Sequence, residues 1–82
     1  MKPVKVTLKP RLTLRSFFPG LGAGDSALLE VTPGTSLGQL LERLGIPHQE
    51  VMLLILNGTQ GKPETPILED SELMLLPPIS GG

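Results

Sequence analysis

SLGQLLERLG, residues 36–45, carries the clearest helix signature in this chain of 82 residues and decides the class of fold. Ser36 and Gln39 stand three residues apart, which predicts a capping box at the start of a helix. Gly45 suits the left-handed position that closes a helix, and Gly38 in the first turn predicts a close approach of the helix to a sheet. Four leucines recur at i, i+3, i+4 and i+7 and form one apolar stripe: Leu37, Leu40, Leu41 and Leu44. A helix with one apolar stripe is expected to pack on a sheet.

The residues before the helix alternate between apolar and polar side chains, which is typical of a strand with one face in water. The apolar parity consists of Val4, Val6, Leu8, Leu12 and Leu14. The polar parity consists of Lys5, Thr7, Lys9, Arg11, Thr13 and Arg15. Pro10 lacks an N–H donor, so it is expected to divide this stretch or to place it at a sheet edge. Residues 19–25 predict a flexible turn, and residues 26–31 predict a second strand that completes a hairpin.

The residues after the helix predict the remaining strands. Residues 51–56 form a continuous apolar run, which favours a strand buried on both faces or nearly so. Asn57-Gly58 predicts a tight turn, and residues 59–66 predict an irregular loop with a short strand at most. Residues 68–72 are expected to turn the chain into a last strand at residues 73–76. The sequence therefore predicts an α+β fold, in which one main helix packs across a mixed sheet of four to five strands.

Composition excludes several classes of chemistry. The chain has no Cys, which rules out disulfides, a thiolate nucleophile and a zinc site with Cys ligands. It has no Trp or Tyr and only two Phe, so it offers little surface on which nucleobases could stack. Three alternate glycines at positions 20, 22 and 24 precede no helix and do not predict a phosphate-binding loop. No secretory signal or apolar run of membrane-spanning length is present, and we expect a cytoplasmic protein.

Charge is distributed unevenly along the chain, although the net charge is only −1. Five of the seven basic residues precede position 16: Lys2, Lys5, Lys9, Arg11 and Arg15. Every acidic residue lies at position 25 or later. This asymmetry favours docking to a charged partner, but solvated strand faces would produce the same pattern.

A few side chains could carry chemistry on their own, and for each a structural role is the expectation. His48 is the single His, and it is expected to lie on the surface beyond the helix end. Glu69, Asp70 and Glu72 are expected to form a solvated turn rather than an acid–base pair. Phe17-Phe18 is expected to cap the core, with an exposed contact patch as the alternative.

The last six residues, Pro77-Pro78-Ile79-Ser80-Gly81-Gly82, indicate a chemical role for the C-terminus. A glycine without Cβ passes a narrow channel and leaves its carbonyl carbon open to attack by a partner enzyme. Because chain ends are often small and disordered, the diglycine could also have no function.

These features together resemble the ubiquitin-like β-grasp sulfur carriers. The resemblance rests on the hairpin, the single helix, the strand ending in Asn57-Gly58, the turn at residues 68–73 and the Pro-Pro-x-x-Gly-Gly ending. Length and ending are more similar to the small subunit of molybdopterin synthase than to the related thiamine-pathway carrier. The resemblance implies a β-grasp domain at residues 1–76 and a flexible diglycine tail at residues 77–82.

The family's chemistry implies that the Gly82 carboxylate is adenylated and then converted to a thiocarboxylate. Such a chain is no enzyme and binds no metal or cofactor, because ATP and magnesium belong to the activating partner. The implied partners are a ubiquitin-activating-like adenylyltransferase and the large subunit of molybdopterin synthase or another sulfur-accepting enzyme, without nucleic acid or membrane. The tail residues that would contact them are Pro77, Pro78, Ile79, Ser80 and Gly81.

Three alternatives stay open at the level of sequence. The sulfur could serve thiamine or another pathway instead of molybdopterin. The same adenylate could instead join Gly82 to lysines of other proteins, as a ubiquitin-like modifier. In a third alternative the domain is a non-covalent interaction module that binds a partner through its sheet face.

Overall fold

The structure is a computed structural model that describes residues 2–22 and 25–78. Within these residues the strands are β1 (Val4–Pro10), β2 (Ala27–Val31), β3 (Thr35–Ser36), β4 (Leu53–Leu56), β5 (Thr59–Gly61), β6 (Pro66–Ile67) and β7 (Ser71–Leu76). The α-helix α1 spans Leu37–Leu44, and two short 3-10 helices span Leu12–Phe17 and His48–Glu50.

The main sheet has five strands in the order β2-β1-β7-β4-β5. β1 and β7 are parallel neighbours at its centre, whereas β2 pairs antiparallel with β1 and β4 pairs antiparallel with both β7 and β5. A small second sheet joins β3 to β6. The parallel central pair requires a long connection between β1 and β7, and α1 lies within that connection. This mixed sheet with one main helix is the ubiquitin-like β-grasp arrangement that the family resemblance implies.

The helix begins and ends where the sequence predicts. The Ser36 Oγ accepts from the Gln39 N–H at 3.1 Å, and the Ser36 N–H donates to the Gln39 Oε1 at 2.9 Å. Gly45 adopts φ of 75° and closes the helix in the left-handed conformation. The core lies between α1 and one face of the main sheet, and the first 3-10 helix, the segment after α1 and β6 each add one side chain to it. Its members are Val6, Leu8, Leu14, Val31, Leu37, Leu40, Leu41, Ile46, Leu54, Ile67, Leu73 and Leu75.

Gly38 marks a close approach, but the partner is a loop and not the sheet. Its N–H donates to the Pro63 carbonyl oxygen at 2.8 Å. A Cβ at position 38 would lie 3.1 Å from that oxygen and 3.2 Å from the Pro63 Cβ. The expected approach of helix to sheet is therefore wrong. The missing side chain instead lets the first turn of α1 contact the segment between β5 and β6.

The predicted strand parity fails after Pro10. Residues Leu12–Phe17 form a 3-10 helix, in which Leu14 is buried and Leu12 is 62% exposed. Leu12 also adopts φ of 54°, which no strand residue does. Pro10 divides the stretch as expected, but β1 lies between β2 and β7 and is not an edge strand. The β1–β2 ladder ends at Leu8, so the missing N–H of Pro10 lies beyond it.

The predicted double burial of residues 51–56 is also wrong. Only Leu54 of β4 is buried, whereas Leu53 and Ile55 are half-buried and Met52 is 62% exposed. The reason is that α1 covers one face of the sheet, and no described element covers the other.

The turns around β5 and β7 follow the sequence closely. Asn57 and Gly58 have φ of 52° and 83°, which is the tight turn expected of this pair. The loop predicted at residues 59–66, with a short strand at most, is wrong in one respect: two short strands lie there, β5 and β6, and β6 extends to Ile67 because it pairs with β3. The last strand begins at Ser71, two residues before the predicted start.

Candidate functional site

Hydrogen bonds on both edges of β7 hold the C-terminal end of this strand in place. The Arg11 N–H donates to the Leu75 carbonyl at 3.0 Å, and the Met52 N–H donates to the Leu76 carbonyl at 2.8 Å. Pro77 is buried and Pro78 is exposed. We call residues 75–78 the tail root. The chain leaves the centre of the sheet at the tail root, and the two hydrogen bonds fix the place where it leaves.

Of the residues predicted to act in the tail, the structure describes only Pro77 and Pro78. The other four, Ile79, Ser80, Gly81 and Gly82, lie outside the described residues. The predicted boundary after residue 76 and the roles of all six tail residues therefore stay predictions.

The face of the sheet opposite α1 is open, and its outward side chains are apolar near the tail root. In the register of β4 and β7, Leu53 lies opposite Leu76 and Ile55 lies opposite Met74. All four are half-buried, and none belongs to the buried core. We call Leu53, Ile55, Met74 and Leu76 the apolar quartet. Single exposed apolar residues are ordinary on protein surfaces, whereas contiguous apolar patches mark sites that bind other molecules. The quartet is contiguous and is therefore a candidate docking surface.

The rest of the open face is mainly polar, although Leu28 of β2, opposite Thr7, is 63% exposed there. Lys9 lies beside Met74 in the β1–β7 register, and its Nζ forms an ion pair with the Glu72 Oε1 at 2.7 Å. Lys5 lies opposite Glu30 in the register of β1 and β2. The unequal charge distribution along the sequence is thus partly balanced across the folded sheet, since basic residues of β1 face acidic residues of its neighbours.

The acidic residues around the start of β7 have structural roles, and Glu72 lies in the strand and not in the predicted turn. The Asp70 Oδ1 accepts from the Lys5 N–H at 2.8 Å. The Glu72 N–H donates to the Asn57 Oδ1 at 2.9 Å, and the Asn57 N–H donates to the Glu72 carbonyl at 2.9 Å. The Ser71 hydroxyl donates to the Glu69 carbonyl at 2.7 Å. These contacts anchor the start of β7 to β1 and to the β4–β5 turn.

The remaining singled-out side chains are only partly as expected. Phe18 packs against the core, but Phe17 is 36% exposed, so the core prediction is right for one of the two. His48 is exposed in the 3-10 helix that follows α1, as predicted. Within residues 2–22 and 25–78, no three His, Cys, Asp or Glu side chains lie together as metal ligands.

Sequence reasoning missed the apolar quartet as a surface, although a signal was present. A continuous apolar strand normally needs cover on both faces, and residues 36–45 form the one helix that the sequence predicts. Because a single helix covers only one face of a sheet, the second face of this apolar strand has no helix to cover it.

Comparison with known proteins places this fold in a family. Residues 1–80 match the family model described as Mut7-C ubiquitin. The chain belongs to the Mut7-C ubiquitin family. Curated proteins yield no significant match to this Mut7-C ubiquitin chain.

Solved structures share the fold of this Mut7-C ubiquitin protein. Small archaeal modifier protein 1 of Haloferax volcanii has a TM-score of 0.69 and 18% identity, over 95% of this chain and 99% of that one. A putative molybdopterin converting factor subunit 1 from Pyrococcus furiosus has a TM-score of 0.67 and 19% identity, over 93% and 99%. The ubiquitin of Caldiarchaeum subterraneum has a TM-score of 0.60 and 18% identity, over 98% and 99%. At such identities the likeness establishes the fold, and the predicted ubiquitin-like β-grasp resemblance is confirmed.

No helix in the described part of the chain is long and apolar enough to cross a membrane.

Proposed function

We propose that this Mut7-C ubiquitin protein is a sulfur carrier that becomes a thiocarboxylate at Gly82. The observation that carries the proposal is the tail root. The central strand β7 is hydrogen-bonded at Leu75 on one edge and at Leu76 on the other, and the six residues from Pro77 to Gly82 follow directly in the sequence. Since six residues span about 20 Å when extended, the Gly82 carboxylate can enter a partner's active site while the domain stays outside.

The proposed chemistry needs two steps on the Gly82 carboxylate. The ionised carboxylate first attacks the α-phosphate of ATP, which forms an acyl-adenylate and releases pyrophosphate. The adenylate makes the carbonyl carbon electrophilic, because AMP is a good leaving group. A sulfide-level nucleophile then attacks that carbon and expels AMP, which leaves the thiocarboxylate. A second glycine beside the reacting one keeps the approach to the carbon free of side chains.

In this proposal the chain supplies the substrate group, and its partners supply the catalysis. A ubiquitin-activating-like adenylyltransferase in the cytoplasm binds ATP and magnesium. The sulfur acceptor is the large subunit of molybdopterin synthase, which the Pro-Pro-x-x-Gly-Gly segment favours over a thiamine-pathway enzyme. The fold shared with the Pyrococcus protein is compatible with that pathway but does not distinguish it from others.

Intact-mass spectrometry tests the proposal. After incubation with the cognate activating enzyme, ATP and a sulfur donor, the chain should exchange one oxygen for one sulfur. A matched chain that lacks only Gly82 should keep its mass. An unchanged mass of the intact chain contradicts sulfur carriage, and so does a natural product that continues past position 82 without being trimmed. Conjugates linked to lysines in the cell extract would favour the modifier alternative.

The apolar quartet favours a second candidate, a non-covalent interaction module. Its half-buried side chains can bind a partner through the open sheet face without any reaction at the tail. The intact chain and a chain without residues 79–82 together separate the two functions. A module gains no sulfur when intact and keeps its affinity for its partner after the deletion, whereas a carrier gains sulfur when intact and none after the deletion.

A further inference from the structure

Two large apolar side chains stand exposed on either side of the tail root. Leu12 and Met52 are each 62% exposed. Leu12 follows Arg11, whose N–H bonds to Leu75 on one edge of β7, and Met52 itself bonds to Leu76 on the other edge. Because neighbouring strands are about 4.8 Å apart, these two attachment points lie about 10 Å from each other across β7.

Leu12 combines exposure with an unfavourable backbone conformation. Its φ of 54° lies in the left-handed region, which favours Gly and Asn and disfavours a bulky side chain. Its side chain contributes nothing to the core, because Leu14 fills that role from the same 3-10 helix. A residue that is both strained and exposed does not serve folding. Such conformations cluster where a surface binds something.

Basic side chains accompany Leu12. Arg11 immediately precedes it, and the Arg15 Nε donates to the Leu12 carbonyl at 3.3 Å. Both guanidinium groups therefore belong to the short segment that flanks the tail root. A partner surface that covers Leu12 must also lie beside the positive charges of the two arginines. Acidic side chains on the partner complement these charges best.

We propose that Leu12 and Met52 form a collar that binds the adenylyltransferase which activates the tail. The enzyme's matching surface is apolar and is flanked by carboxylates. The collar rests on the proposed function. The geometric reason is the short reach of the tail. An enzyme that encloses Gly82 within about 20 Å of Leu76 must bring the mouth of its active site against the tail root. The collar lies at that contact. Met52 approaches it from the α1 side of the sheet, near Leu41 and His48.

The test measures ATP–pyrophosphate exchange by the purified adenylyltransferase of the same organism, at increasing carrier concentrations. Leu12→Asn removes the apolar side chain but suits the left-handed backbone, so its melting temperature should not fall. Its KM for the carrier should rise roughly 10- to 100-fold, as expected for loss of a buried Leu contact, with kcat little changed. Met52→Gln should raise KM in the same direction. Arg15→Gln should weaken the salt dependence of KM.

Leu68→Asn is the matched control. Leu68 is 67% exposed but lies before the start of β7, at the strand end opposite the tail root. It should leave KM at the wild-type value. Equal KM values for Leu12→Asn, Met52→Gln and Leu68→Asn, with an active wild type, overturn the collar alone. A wild-type chain that the enzyme does not activate overturns both the proposed function and the collar. If Leu12→Asn melts early, Met52→Gln decides the outcome.

Discussion

The Met52 N–H donates to the Leu76 carbonyl at 2.8 Å, so the segment that leads into β4 holds the last residue of β7. The Arg11 N–H does the same for Leu75 from the other side. Both bonds come from residues outside β7's own sequence neighbourhood. The position from which the tail leaves the domain therefore depends on the pairing of three strands.

Removal of the Met52 donor should weaken the tail root. Met52→Pro leaves the Leu76 carbonyl without this partner, and we expect a loss of about 1–3 kcal/mol in the free energy of unfolding. The preceding Val51 is already extended, which is compatible with a following proline. Urea denaturation measures the loss. Met52→Ala keeps the N–H and should change the free energy of unfolding by less than about 0.5 kcal/mol. Equal losses of unfolding free energy in the two variants would show that this hydrogen bond does not stabilise the fold.

The 3-10 helix after β1 should respond in opposite ways at its two leucines. Leu12→Gly relieves a left-handed leucine and should raise stability by about 0.5–1 kcal/mol, since little apolar surface is lost. Leu14→Ala empties a core position that is 1% exposed and should cost about 2–5 kcal/mol. Thermal and urea unfolding of both variants test this. A destabilised Leu12→Gly would mean that the Leu12 side chain supports the fold.

Gly38→Ala should destabilise the chain, although alanine favours helices. The added Cβ would lie 3.1 Å from the Pro63 carbonyl oxygen, which the Gly38 N–H already holds in place. Overpacking of this kind costs about 1–3 kcal/mol and exceeds the gain in helix propensity of up to about 1 kcal/mol. Glu42→Ala, at an exposed position of α1, is the control and should be nearly neutral. Chemical denaturation gives both values, and a stabilised Gly38→Ala would indicate that the loop yields.

The two faces of β4 should behave differently on mutation. Leu54→Ala removes a core side chain and should cost about 2–5 kcal/mol of unfolding free energy. Ile55→Ser on the open face should cost less, about 1 kcal/mol, because that side chain already contacts water. Ile55→Ser should nevertheless lower affinity for a partner in isothermal titration. Unchanged affinity would remove the apolar quartet from the binding surface.

Helix ends and tight turns were predictable from the sequence because their causes lie within a few residues. The capping box of Ser36 and Gln39 satisfies the first N–H groups of α1 locally. Asn57-Gly58 forms its turn because both residues tolerate a positive φ. The order of strands and helix along the chain followed from these elements, whereas the β-grasp topology was what the resemblance to the ubiquitin-like sulfur carriers implied.

Errors occurred where the outcome depended on distant residues. Parity alone placed Leu12 inward with Leu14, but the β1–β2 ladder ends at Leu8 and the chain then turns into a 3-10 helix. Gly38 predicted a close contact, and only the path of the later loop made Pro63 its partner. The sequence could not show the exposure of Leu12 or the contact between Gly38 and Pro63, since both depend on which distant segment packs against these residues.

The sequence by itself determined the helix and the turns, because these depend on residue type and local spacing. Tertiary structure decided which face of β4 meets the helix and which face stays open as the apolar quartet. It also placed Leu12 and Met52 on either side of β7. The physical reason is that hydrophobic burial depends on the element that lies opposite, and a strand's own residues are compatible with cover on either face.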